Sequence, residues 1–306
     1  MEINNIAIIG AGLMGKAIAF VFSSKYRVAV YDNQPVDLIG GIREIVQELV
    51  QCRVLPEGEL DRRLGQVQSV TAMEHEAVAN ADLIVEAVYE DMELKRRTFA
   101  HLEQICRDDC IFCTNTSVMS PSEISRELRH RERFAATHFW NPGHLIPLVE
   151  VVLSDATDPQ IAQIIIEVLE SVGKKPVLCK KDVPGFIGNR LQHALWREAF
   201  YMVEEGIADP KTIDDACKYG PGLRWPVLGP MENSDLIGLD LTYNIHNYLL
   251  SALDASPEPS RLISQMLAKG ENGMKTGKGW QEWTPEEIKR INNKLREHLI
   301  DFTKNI

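Results

Sequence analysis

Apolar runs of strand length alternate with helical stretches from Met1 to Asp182, and from Val183 to Ile306 the pattern is helical almost throughout. The first apolar run leads straight into a GxGxxG turn, Gly10 to Gly15, and that turn opens an amphipathic helix. Together these observations predict an α/β fold: a Rossmann-type, mainly parallel sheet domain over residues 1–182, followed by an all-α domain over 183–306.

A chain of 306 residues has room for both domains. With 33 Lys and Arg against 44 Asp and Glu, the net charge is −11. No basic cluster offsets it, which argues against a nucleic acid or an anionic membrane as partner. Met1-Glu2-Ile3-Asn4 runs directly into a strand without a basic start or a cleavage site. No stretch approaches the roughly 20 apolar residues of a membrane span, and a soluble cytoplasmic protein is expected. Cys110 and Cys113 have CxxC spacing, but they fall in a strand, where residues three apart face opposite sides. No second CxxC or HxxxH completes a site, so no metal is expected and the cysteines read as reduced core thiols.

The elements follow in order. Ile3 to Ile9 is the first strand. Gly10 permits the tight turn, Gly12 lets the backbone approach a pyrophosphate, and Gly15 lets helix pack on strand. The helix start at Leu13 and Met14 supplies amides and dipole for the phosphates. The dinucleotide fingerprint also needs an acid about 20 residues on, ending the second strand. Asp32 ends the run Arg27 to Tyr31, and the next residue is Asn33 rather than an arginine, which favours NAD over NADP.

Val36 to Leu64 reads as a helical excursion broken at Pro56-Glu57-Gly58. Val67 to Thr71 is a short strand, and Ala81 to Val88 a buried one with Glu86 and Glu90 at its C-terminal end, where such sheets bind ligands. A helix over Glu93 to Ile105 precedes a strand over Cys110 to Thr114, which ends in Asn115-Thr116-Ser117. Those small polar groups suit a cofactor ring or a substrate oxygen, and equally the capping of the next helix, whose start at Ser120-Pro121 is a capping sequence.

Phe134 to Phe139 and Leu145 to Leu153 are two further strand-length runs, separated by the turn residues Asn141-Pro142-Gly143. His138 sits near the end of the first. Glu150 lies inside Leu148-Val149-Glu150-Val151-Val152, where a buried carboxylate needs a partner. His138 is the candidate: a carboxylate on one imidazole nitrogen leaves the other free as a base. A helix over Asp158 to Val172 and a strand over Pro176 to Lys180 complete the domain. Past the break at Asp182 to Phe186, Ile187, Leu191, Leu195 and Met202 carry an apolar stripe at helical spacing.

These motifs resemble the L-3-hydroxyacyl-CoA dehydrogenase family over nearly the whole chain. The resemblance rests on GAGLMG at Gly10 to Gly15, VEAVYE at Val85 to Glu90, NTS at Asn115 to Ser117 and HFWNP at His138 to Pro142. It continues through LVEVV at Leu148 to Val152, DVPGFIGNR at Asp182 to Arg190, GPMENSDLIGLD at Gly229 to Asp240 and MKTGKGW at Met274 to Trp280. It implies NAD-dependent oxidation of the 3-hydroxyl of an L-3-hydroxyacyl-CoA. His138 is then the general base, Glu150 its orienting partner, and Ser117 and Asn189 bond the reacting oxygen. Glu90, Lys95, Asn141 and Lys275 are implied to help hold the cofactor, and the helical domain, with apolar stretches such as Tyr243 to Leu253, to form a homodimer.

Two departures open an alternative substrate. Ile45 and Cys52 stand where polar or basic groups for CoA are expected, although Arg43, Arg53, Arg62 and Arg63 are nearby donors. The segment Gly222 to Leu228 is longer than the usual form, as in relatives that act on free hydroxy acids, such as gulonate, carnitine or pyridoxine-degradation dehydrogenases. Arg224 would then pair with a substrate carboxylate.

Overall fold

The structure, a computed structural model, describes residues 1–304. Two compact units are present: Met1–Asn189 together with the chain from Leu295 onward, and Arg190–Lys294.

The first unit is built on one eight-stranded sheet. Its strands are β1 (Asn5–Ile9), β2 (Arg27–Tyr31), β3 (Val67–Val70), β4 (Leu83–Glu86), β5 (Ile111–Thr114), β6 (Phe134–Phe139), β7 (Leu148–Leu153) and β8 (Lys175–Cys179). The order is β3-β2-β1-β4-β5-β6-β7-β8. Strands β1 to β6 run parallel, β7 pairs antiparallel with β6, and β8 runs parallel to β7. The order reverses beside β1, so the crevice beyond the C-terminal ends of β1 and β4 is the ligand-binding point of such a sheet.

Both sheet faces are covered, which explains the continuous apolar strands. Ile6 and Ile8 enter one core cluster with Ile18, Phe22, Ile42 and Val46, while Ala7 and Ile9 enter a second with Phe99, Phe112 and Phe134. The period-2 alternation of β1 thus feeds two cores.

The first compact unit runs through Asn189. The turn through Gly185 and Phe186 stays with the sheet because Glu150 of β7 binds the backbone that follows it. The last helix, Pro285–Thr303, also ends in the first unit. There Ile300, only 4% exposed, joins the cluster of Ile42, Val46 and Leu49.

The second unit is helical, with Phe200 stacked on Trp280 at 5.1 Å. Its helices bury no side chain fully, and the stripe predicted on Gly188–Glu204 is open: Leu191 is 58% and Leu195 40% exposed.

Candidate active site

At the end of β1 the glycines divide into two kinds. A Cβ on Gly10, whose φ is +103°, would lie 2.6 Å from the Ala87 carbonyl oxygen, and one on Gly15 would lie 1.8 Å from that of Gly10. Gly12 has nothing within 4 Å in that direction. It precedes the helix Leu13–Phe22, whose start has no side-chain cap, so no side chain of the cap residue takes up its first amides. Asp32 fixes this turn: its Oδ2 accepts from Ala11 N–H at 2.6 Å and its Oδ1 from Gln34 N–H at 2.9 Å. A cavity of about 590 Å³ lies beside Asp32, bounded by Asn33, Val36 and Thr71 among others. An uncapped helix start, a glycine with space before it and an acid beside a cavity fit a dinucleotide.

A buried ion network stands behind the next strand ends. Lys95 has no exposed surface; its Nζ lies 2.8 Å from Glu86 Oε1 and 3.3 Å from Glu90 Oε2. Thr114 Oγ1 donates to Glu86 Oε2 at 2.6 Å and Val88 N–H to Oε1 at 2.7 Å. Burial drives the Glu86 carboxyl above its ordinary range, against the pull of Lys95. Glu90 accepts from the Thr116 hydroxyl and, at 2.9 Å, from Ser117 N–H. Burial opposes ionisation of Glu90 too, but the Thr116, Lys95 and Ser117 donors prevail and hold it below the usual range. Lys95 thus faces the two carboxylates rather than open space. The helix Met92–Ile105 turns its ammonium into the sheet, where it braces Glu90. Glu90 in turn holds the loop that carries Ser117.

The antiparallel register of β6 and β7 sets His138 directly opposite Glu150. Directly paired residues have Cβ atoms about 5 Å apart, so the side chains meet. His138 Nδ1 and Glu150 Oε2 are 2.8 Å apart. The imidazole is 5% exposed and the carboxylate fully buried. Three further donors reach Glu150: Trp140 Nε1 bonds Oε2 at 3.0 Å, and the amides of Ile187 and Gly188 each bond Oε1 at 2.8 Å. Those amides are presented by a turn in which Gly185 and Phe186 have φ of +79° and +51°. They open the helix Gly188–Glu204, so the carboxylate receives the amides and dipole of a helix start. Burial alone would raise the Glu150 pKa; the His138, Gly188, Trp140 and Ile187 donors overcome it and bring it down to about 2.

The remaining candidates attach to this framework. Asn189 follows Gly188, and its Nδ2 donates to the Ser117 carbonyl oxygen at 3.2 Å. Asn115 Oδ1 accepts from Phe139 N–H at 2.9 Å, linking the end of β5 to that of β6. One chain of bonds thus connects His138, Glu150, Gly188, Asn189, Ser117 and Glu90. Asn141 lies exposed in the turn after β6. The same turn is held by Lys174 Nζ, which donates to the carbonyl oxygens of Gly143 at 2.6 Å and Ile146 at 2.9 Å. Lys275 is exposed in the second unit.

Sequence reasoning missed Trp140, the two amides after Phe186, and Lys95 as a brace. Trp140 was within reach, since residues two apart along a strand direction share a face with His138. The amides were not, because a backbone donor has no signature in side-chain pattern. Cys110, just before β5, and Cys113 within it are buried, and burial pushes the Cys113 thiol up to about 12.

Residues 5–183 match the family model described as the NAD-binding domain of 3-hydroxyacyl-CoA dehydrogenase, and residues 185–283 match that of its C-terminal domain. The 5-formyl-3-hydroxy-2-methylpyridine 4-carboxylate 5-dehydrogenase of Mesorhizobium japonicum is 30% identical over 97% of this chain and 96% of its own length. The 3-hydroxyadipyl-CoA dehydrogenase of Escherichia coli is 34% identical over 94% of this chain, which spans 60% of that relative. Among solved structures, an NAD-dependent dismutase described as that same pyridine-carboxylate dehydrogenase superposes with a TM-score of 0.88 at 30% identity, covering 98% of this chain and 97% of its own. The chain belongs to the 3-hydroxyacyl-CoA dehydrogenase family, the NAD-dependent oxidoreductases that act on CH–OH groups.

Proposed function

We propose that this protein oxidises the hydroxyl of a small, CoA-free substrate, a hydroxy acid or related alcohol, with His138 as general base. The observation that carries the catalytic reading is the buried Glu150 carboxylate, ionised by four donors and set on His138 Nδ1. In that arrangement Nδ1 keeps its proton and Nε2 presents its lone pair. Bound NAD supplies the hydride acceptor. The amides at Gly12 to Met14 and the Asp32 carboxylate would hold it, with Asn141 as a further candidate. His138 Nε2 takes the hydroxyl proton, and Glu150 stabilises the imidazolium without accepting the proton. Ser117 and Asn189 orient the reacting oxygen.

The substrate reading rests on the helix Leu38–Gln51. Ile45, Val50 and Cys52 pack against the core, and Glu48 pairs with Arg296 of the last helix. Of the four arginines available for a CoA phosphate, Arg63 is buried on Glu59 and the Phe20 carbonyl, and Arg62 bonds Glu59 and the Ser24 carbonyl. Arg43 and Arg53 have no such partners among the described residues, which leaves an acyl-CoA as the second reading. The relative with the 0.88 TM-score is named for a pyridine carboxylate, which supports an acid substrate. Arg224, in the second unit, is exposed and makes no ion pair among the described residues. A second copy of this chain is the proposed cover for the open apolar helices of the second unit, with a cytoplasmic setting.

His138→Ala tests the catalytic reading. Turnover should fall by about two to four orders of magnitude while NAD affinity, read by fluorescence titration, stays within roughly twofold. A variant that kept its turnover would remove His138 as the base.

A further inference from the structure

Trp140 Nε1 and His138 Nδ1 meet the same oxygen of Glu150, Oε2, while Oε1 is taken by the amides of Ile187 and Gly188. Among the described residues the indole is thus the one side chain that competes with the imidazole for the charge facing it. Its seat is specific. A Cβ on Gly188 would lie 2.5 Å from Trp140 Cζ2, so the helix start admits the ring only because residue 188 is glycine. The indole centroid lies 5.6 Å from the imidazole centroid, and Phe186 closes another side of the imidazole at 5.8 Å. The imidazole is therefore bordered by Glu150 from β7, Trp140 after β6 and Phe186 from the turn. Among the described residues Glu150 is the only charged group bonded to it.

We propose that Trp140 is a positioning residue that sets the working pH of the reaction by drawing off part of the Glu150 charge that would otherwise stabilise the His138 imidazolium. The proposal rests on His138 being the base. A hydrogen bond to an ionised acceptor disperses its charge, and a carboxylate with less free charge favours a neighbouring imidazolium less. With the indole donor in place, the neutral base persists to lower pH. Without it, the charge on Oε2 faces Nδ1–H alone, the imidazolium gains stability, and the neutral base returns only at higher pH.

The test is the pH profile of NAD-dependent oxidation in wild type, Trp140→Phe and a chain with benzothienylalanine at position 140. The last keeps the bicyclic shape and lacks the N–H donor. In both variants the acid limb of the kcat profile should move up by about half a pH unit to one unit, the scale of losing one of several donors to a carboxylate. The plateau at high pH should stay within roughly threefold of wild type. If the indole only fills space, Trp140→Phe lowers kcat equally at all pH values and the benzothienyl chain matches wild type, which overturns the proposal. His138→Ala run alongside separates the two claims. If it retains turnover, the base assignment fails; if it loses turnover while the acid limb of the benzothienyl chain stays in place, only the role of Trp140 fails.

Discussion

Glu150 shows how much chemistry one buried side chain can organise. Its four donors come from β6, the turn that follows β6 and a helix start, and they lower its pKa from 4.5 to about 2. A group whose folded value is depressed stabilises the fold above its unfolded value, and that contribution is lost as pH falls through the folded one. The shift corresponds to about 3 kcal/mol, at about 1.36 kcal/mol per unit, lost between about pH 5 and pH 2. Urea unfolding over this range should therefore be steeper in pH for wild type than for Glu150→Gln by about that amount; equal slopes would contradict the burial and bonding described. The pairing with His138 was legible in the sequence because a lone acid in a five-residue apolar run demands a partner. The fate of Lys95 was not legible. A lysine in the first turn of a helix can face water or sheet, and only the buried Glu86 opposite decides it.

At the scale of elements, the strand and helix order could be read from periodicity because both sheet faces are covered and each βα unit is local. The return of the last helix to the first unit could not, since it rests on the non-local burial of Ile300 and the Arg296–Glu48 pair. The glycine turn after β1 makes its own prediction. A Cβ at position 15 would meet backbone at 1.8 Å, whereas one at position 12 meets nothing within 4 Å. Gly15→Ala should lower both thermal stability and NAD affinity, with a stability loss of about 1–3 kcal/mol from overpacking. Gly12→Ala should leave the melting temperature of the NAD-free protein within about 2 °C of wild type, as for an uncrowded surface change, while weakening NAD by roughly tenfold or more. Calorimetry with a parallel NAD titration separates the two. A Gly12→Ala protein that binds NAD normally would show that no phosphate approaches there.

At the scale of the whole molecule, the helical unit leaves large apolar side chains open, among them Tyr219 at 76%, Met231 at 75% and Tyr248 at 87% exposure. Exposed apolar area of this kind suits the proposed second copy, and light scattering at micromolar concentration should return twice the chain mass; a monomer would contradict it. The substrate was the least legible part of the sequence, because four arginines in the helical excursion looked available and two of them are bound internally. One measurement decides the substrate: initial NADH formation by the purified protein with NAD, free hydroxy acids and 3-hydroxybutyryl-CoA side by side. Turnover is expected with a free hydroxy acid, and for the CoA ester a kcat/KM at least roughly a hundredfold lower, unchanged by Arg53→Ala. Efficient oxidation of the CoA ester, weakened by salt and by Arg53→Ala, would contradict the CoA-free reading.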